Sequence, residues 1–229
     1  MKTCAQLTLD LATEPDYRLE AFCVNSTNVS ALRALDRWPR WRDGHLLILG
    51  PKGCGKTHLG KIWQRRSNAK TLSSATIGQS LASVSRGMSL LVEDIDKNCD
   101  EQGLFHLINL ASGDAGISLL ITATRSHNLS SFALADLSSR LKAAETTLLH
   151  EPDDDLLKQV IDKLFKDKRT PLSPGIVDYM ACRMDRSIDY ARRLVAWLDR
   201  EALSRKSRVT RTLVRQGIDV FSRPWVNGK

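Results

Sequence analysis

Leu46-Leu47-Ile48-Leu49-Gly50-Pro51-Lys52-Gly53-Cys54-Gly55-Lys56-Thr57 is the stretch on which the fold turns. The four leading residues form a short continuous apolar run, the mark of a strand buried on both faces of a parallel sheet. The eight that follow satisfy G-x-x-x-x-G-K-[ST] at every fixed position, with a helical pattern after them. Phosphate binding needs these residue types. Gly50, Gly53 and Gly55, with Pro51, Lys52 and Cys54 between them, let backbone N–H groups turn inward around an anion. Lys56 supplies charge to the β and γ oxygens, and the Thr57 hydroxyl suits Mg²⁺. The helix behind them directs its positive end at the phosphates.

Working outward, two more apolar runs follow, Leu90-Leu91-Val92 and Ile117-Ser118-Leu119-Leu120-Ile121-Thr122. Helical spacing appears over roughly 57–66, 77–84 and 101–112. A further helix is expected over 26–38, capped by Ser26 or Asn28 and carrying Leu32, Leu35 and Trp38 on one face. Strand and helix alternating at this rhythm predict an α/β domain with a parallel sheet covered on both sides, spanning 21–150. Residues 1–20 read as a flexible arm containing one strand-like alternation, Gln6-Leu7-Thr8-Leu9-Asp10-Leu11.

Beyond residue 150 the pattern becomes helical throughout. Pro152-Asp153-Asp154-Asp155 caps a helix running to about Asp167. In the linker Pro171-Leu172-Ser173-Pro174, Ser173 is expected as a cap and Pro174 at the first helical position. Helices are then expected over 174–183, 187–204 and 211–218, with no strand, so 151–229 reads as a small all-helical lid domain.

Composition narrows the function classes. Of 229 residues, 42% are hydrophobic and 26% charged, as in ordinary globular chains. No apolar run approaches the ~20 residues of a membrane span. Asp10, Glu14, Asp16 and Glu20 are foreign to a secretory signal. The five cysteines (4, 23, 54, 99 and 182) show no CxxC, which speaks against a disulfide framework or zinc site and for the cytoplasm. Net charge of +8 suits an acidic partner such as nucleic acid or nucleotide.

The second phosphate-site element is an acidic pair closing a neighbouring strand. Glu93-Asp94 after Leu90-Leu91-Val92 fits it, one carboxylate for the magnesium shell and the other to orient the attacking water. The usual order is Asp first. Glu in that place makes hydrolysis a weaker expectation than binding.

Several further segments carry a resemblance. They are Ala21-Phe22-Cys23-Val24-Asn25-Ser26-Thr27-Asn28, Leu120-Ile121-Thr122-Ala123-Thr124-Arg125-Ser126, Leu134-Ala135-Asp136-Leu137-Ser138-Ser139-Arg140-Leu141, Glu151-Pro152-Asp153-Asp154-Asp155-Leu156-Leu157 and Arg186-Ser187-Ile188-Asp189-Tyr190-Ala191-Arg192-Arg193. Together with the phosphate loop they resemble AAA+ ATPases of the bacterial replication-initiator type, the DnaA superfamily. Within it they are similar to the short regulators of the Hda type. The resemblance implies an AAA+ α/β domain with a helical lid, ADP or ATP with Mg²⁺, and possible pairing as a homodimer.

The residues divide as follows under that resemblance. The 21–28 strip lies along the adenine in relatives, or is a plain hydrophobic staple before a helix. Thr122 or Thr124 takes the first sensor position, or either one caps. Arg140 matches the arginine finger of Asp-Leu-x-Ser-Arg-Leu, which reaches a neighbouring subunit's γ-phosphate, the alternative being a solvated surface arginine. In the second sensor region Asp189 stands where initiators have arginine. Arg186, one turn earlier, is the candidate for phosphate contact, and Arg193 lies on the same face. Gln6, Leu7, Leu9 and Leu11 resemble the peptide that docks on the DNA polymerase sliding clamp.

The chain ends soon after the last helix, with Phe221-Ser222-Arg223-Pro224-Trp225, so a helix-turn-helix DNA reader is not expected. The resemblance implies a negative regulator of replication initiation that stimulates hydrolysis of ATP held by DnaA. Two alternatives stay open: a stand-alone ATPase acting as loader or remodeller, and a DNA-binding adaptor using the basic stripe Arg200, Arg205, Lys206, Arg208, Arg211 and Arg215. That stripe is otherwise a solvated face.

Overall fold

A computed structural model of the chain describes residues 17–124, Leu129 and residues 132–222. They form two compact units, Tyr17–Glu151 and the part from Pro152 onward. The arm residues Gln6, Leu7, Leu9 and Leu11, and the segments at 125–128 and 223–229, lie outside the described residues.

The first unit runs α1 (Val29–Asp36), β1 (His45–Gly50), α2 (Lys56–Ser67), β2 (Lys70–Leu72), α3 (Ile77–Ser80), β3 (Ser89–Val92), α4 (Glu101–Ser112), β4 (Ser118–Thr124), α5 (Ala135–Ala143) and β5 (Glu145–Leu148). All strands are parallel, in the order β2-β3-β4-β1-β5. Alternate residues of each inner strand feed two different cores, as the period of two requires. Leu46, Ile48, Leu91 and Leu120 pack with α1 and α2 around the buried Trp63. Leu47, Leu90, Val92, Leu119 and Ile121 pack on the other face with α4 and α5. The Trp63 ring lies 5.1 Å from Trp41 and meets Trp38 edge-on at 6.3 Å.

The three apolar runs are therefore strands, and β4 lies between the phosphate-loop strand and the acidic strand. Strands β2 and β5 had no counterpart in the sequence reading. Asn28 does stand just before α1, yet its side chain does not cap the helix. The amide donates to the Cys23 carbonyl at 2.8 Å, and Oδ1 accepts the Asn25 N–H at 2.9 Å. The helix expected over 77–84 breaks at Ser80 into a 3₁₀ turn, Leu81–Ser83.

The second unit holds α6 (Asp154–Lys168), α7 (Ile176–Ala181), α8 (Ile188–Ser204) and α9 (Arg211–Ser222). Asp153 caps α6 by accepting the Leu156 N–H, and Ser187 caps α8 through Tyr190 N–H. A core of Leu157, Ile161, Phe165, Met180, Leu194 and Leu198 joins them. Ser173 and Pro174 do not open α7. Gly175 occupies the N-cap in the left-handed region (φ 71°), and the helix starts at Ile176, which is buried. The described residues of this unit contain no strand, only an isolated bridge between Leu172 and Val209.

Asp100 links α3 to α4. Its carboxylate accepts Gly103 N–H at 2.9 Å and Gly78 N–H at 2.7 Å, and these two bonds hold its carboxyl below the usual range. Asp100→Ala should lower unfolding free energy by about 1–2 kcal/mol, the scale of a lost N-cap. Because the folded-state value is depressed, the contribution stands in full above the ordinary aspartate range and fades as pH falls through the lowered value. Denaturant titrations of both proteins at several pH values measure it, and curves that stay parallel down to acid would contradict this account.

Candidate nucleotide-binding site

Strand β1 ends at Gly50, whose register partner is Thr124 on β4. The loop then turns back over the strand end. Gly53 (φ 77°) and Gly55 (φ 108°) take left-handed conformations that side chains resist, and α2 begins at Lys56. A Cβ at Gly50 would stand 2.7 Å from Cys54 Sγ, so the loop closes only over glycine. Lys52 and Thr57 are exposed, and Cys54 is buried. Burial pushes the Cys54 thiol up, which makes it a packing group rather than a nucleophile.

Lys56 is 7% exposed, and its ammonium donates to the carbonyls of Gly50 at 2.8 Å and Pro51 at 2.9 Å. Two of its three donors thus brace the loop and one remains for an anion. This geometry is that of a phosphate cradle.

The acidic pair divides. Glu93 lies by the first turns of α2, with Oε1 against Gly60, 3.7 Å from where a Cβ would stand. That oxygen is buried and has no hydrogen-bond partner among the described residues. Burial raises the Glu93 carboxyl, while the Thr57 hydroxyl and the Lys61 and Lys56 ammoniums draw it back. Asp94 turns away in the left-handed region (φ 53°) and pairs with Lys97 at 2.6 Å. Thr57 and Glu93 offer hard oxygen donors on one side of the cradle, and an orphaned carboxylate oxygen is a group a magnesium ion would satisfy.

Both candidate sensor threonines hold the acidic turn. Thr122 Oγ1 accepts Asp94 N–H at 3.0 Å, and its carbonyl accepts Ile95 N–H at 3.1 Å. Thr124 gives its N–H and hydroxyl to Asp96 at 2.9 and 2.7 Å. The sequence reading missed Asp96 and Lys61. The first is signalled only by the Asp94-Ile95-Asp96 repeat, the second by its place one helical turn after Thr57.

The 21–28 strip splits as well. Phe22 is buried and meets His58 of α2 edge-on at 5.1 Å, whereas Val24 is exposed. Arg140 is exposed on α5 and forms no ion pair among the described residues. It lines an open hollow of about 430 Å³ with Phe105, Asp136 and Ser139. In the helical unit, Arg186 pairs with Asp154 at 2.7 Å and Arg193 with Asp189 at 3.1 Å.

No family model matches the sequence, and no curated protein matches it. Solved structures do. Domain III of the replication initiation protein DnaA from Thermotoga maritima superposes with a TM-score of 0.75 at 20% identity, covering 92% of this chain and 99% of that one. A replication initiator DnaA bound to AMPPCP and single-stranded DNA gives 0.65 at 18% identity over 84% of this chain and 68% of its own. The Holliday junction branch migration motor RuvB from Thermotoga maritima gives 0.62 at 22% identity, over 85% and 66%. The parallel sheet, the loop between β1 and α2 and the helical unit define an AAA+ P-loop NTPase fold. At these identities the likeness is one of fold.

The charged form of Glu93 is what burial penalises, so the penalty is absent below the ordinary glutamate range and complete above the raised value. Glu93→Gln, without added nucleotide or metal, should therefore melt at a higher temperature than the parent at neutral pH. The difference should shrink to nothing as pH drops through that window. A variant that melts lower at neutral pH would show that the carboxylate is stabilised by its surroundings instead.

Proposed function

We propose that this chain is a nucleotide-binding AAA+ regulator of replication initiation that lends Arg140 to ATP held by a partner subunit of the DnaA type. The observation that carries the reading is the state of Arg140: exposed, without an ion pair among the described residues, on a helix of matching sequence. The fold's likeness to domain III of a replication initiation protein, over nearly the whole of that domain, supports a setting in replication initiation.

Under this reading the loop 50–57 holds ADP or ATP, and Lys56 neutralises the terminal phosphates. Thr57 and Glu93 would hold Mg²⁺, which would supply charge neutralisation for the phosphates. Asp94, tied to Lys97, is left to orient water, and that pairing favours a nucleotide held more than turned over. Thr122 and Thr124 keep the turn in place. Arg186, paired with Asp154 at 2.7 Å, stays the candidate of the second sensor region. The arm residues Gln6, Leu7, Leu9 and Leu11 dock on the sliding clamp, which places the protein beside DNA in the bacterial cytoplasm. No helix among the described residues is long and apolar enough to cross a membrane.

Arg140→Ala should bind nucleotide and clamp as the parent does and lose stimulation of ATP hydrolysis by DnaA, on the order of 10³-fold for a finger supplied in trans. Single-turnover hydrolysis by DnaA with clamp-loaded DNA reads this directly. Undiminished stimulation rejects the finger, and turnover by the isolated protein that depends on Lys56 and Glu93 supports a stand-alone ATPase instead. Separately, Gln6→Ala with Leu7→Ala should abolish co-migration with the clamp, and unchanged affinity would leave the arm without this role.

A further inference from the structure

The helical unit carries a second cationic feature. A cleft of about 330 Å³ opens where the C-terminal ends of α6 and α8 meet, lined by Lys168, Arg169, Lys206 and Arg208 around Pro171 and Leu203. Its one carboxylate, Asp199, is already engaged: it accepts the Thr170 hydroxyl and pairs with Lys168 at 3.4 Å. The next nearest acid along α8, Glu201, is taken by Arg205 at 2.8 Å. Arg169, Lys206 and Arg208 are exposed, with no carboxylate partner among the described residues.

These cations are neither helix caps nor part of an even basic stripe. They are not needed to cap the helix ends. The α6 carbonyls accept from Arg169 and Thr170 N–H, and the α8 carbonyls from Arg205, Lys206 and Ser207 N–H. Nor are they a uniform stripe. Arg205 is bound to Glu201 and Gln216, and Arg211 lies over the Tyr179 ring at 5.6 Å, so both serve the fold. What remains is a cluster of unneutralised charge around an apolar floor, with Leu203 63% exposed.

We propose that this cleft binds the sugar–phosphate backbone of duplex DNA. Guanidinium and ammonium groups at the rim meet phosphates, and Pro171 and Leu203 pack against the sugar between them. Backbone contacts of this kind carry no sequence information and weaken steeply with salt. The site lies within the helical unit and shares no residue with the phosphate loop or Arg140, so it stands or falls apart from the proposed regulation.

The test is anisotropy of a labelled mixed-sequence duplex, longer than one helical turn, titrated with the full chain across a salt series. The variant Arg169→Asn, Lys206→Asn and Arg208→Gln removes the three unpaired charges, asparagine being tolerated where the backbone is left-handed (φ 55° and 48°). A control, Arg33→Gln, Arg65→Gln and Lys70→Gln, removes the same charge from the other unit. The cleft variant should bind at least about tenfold more weakly and lose about 2–3 from the slope of log affinity against log salt, at ~0.9 per phosphate contact. The control should change far less. Equal losses in the two variants would reduce the effect to net charge and overturn the site, as would no binding by the parent at low salt. Displacement of the duplex by polyglutamate at equal charge would reassign the cleft to an acidic protein surface. Should the triple variant not fold, Arg208→Gln alone should still take about one unit from the slope.

Discussion

At the end of β1 there is room for a glycine and nothing larger. A Cβ on Gly50 would meet Cys54 Sγ at 2.7 Å and the Leu149 carbonyl at 2.9 Å. That tight fit lets two things happen at one point. The strand stays flanked to its last residues, with Gly50 beside Thr124 and Leu149 N–H on the Leu49 carbonyl at 2.7 Å. The chain also reverses over its own strand end to start α2. Lys56 closes the reversal by bonding the Gly50 and Pro51 carbonyls, so its ammonium lies inside the loop before any anion arrives. Binding at such a site needs little reorganisation, because the charge is already positioned by bonds that the loop's shape requires.

The inner strands were legible in sequence because burial on both faces forces an unbroken apolar run. Leu46–Leu49 and Leu90–Val92 have no alternation to confuse with a helix and are too short to be one. Strands β2 and β5 were not legible, for the same reason inverted. They are the two edges of the sheet. Lys70-Thr71-Leu72 and Glu145-Thr146-Thr147-Leu148 are mostly exposed or half-buried and carry the polar residues that edges need. Only pairing identifies them: Lys70 opposite Leu90, and Glu145 opposite Leu46. Asn28 failed as a cap for a comparable reason. Its side chain was claimed by Cys23 and Asn25, a choice that depends on how the preceding segment folds back.

The site was legible in composition and not in arrangement. Sequence makes Glu93 and Asp94 neighbours of equal standing. Geometry separates them, since Asp94 adopts a positive φ and swings its carboxylate to Lys97 while Glu93 stays under α2. The separation is imposed from another strand. Thr122 holds the Asp94 N–H, and Thr124 holds Asp96, both from residues 28 positions away. No local pattern could announce this, because each threonine is also an ordinary β-strand residue. The price of the arrangement is a buried carboxylate oxygen on Glu93 with nothing to bind.

The arginines give the sharpest contrast in the molecule. Arg37 has Glu145, Arg66 has Asp36, Arg186 has Asp154, Arg193 has Asp189 and Arg205 has Glu201. Exposed pairs of this kind add little stability, yet they fix where a long side chain points. Arg140 has a carboxylate at the helical spacing that favours pairing, Asp136 four residues before it, and the two form no ion pair. A guanidinium kept from a partner within reach retains its full charge for an anion brought from outside. Arg169, Lys206 and Arg208 likewise have no carboxylate partner among the described residues, and they share one cleft. In both places the acids lining the hollow are engaged elsewhere or form no ion pair with these cations among the described residues, so what sets the cations apart is an unpaired charge placed at a concave surface, a property that composition and net charge cannot express.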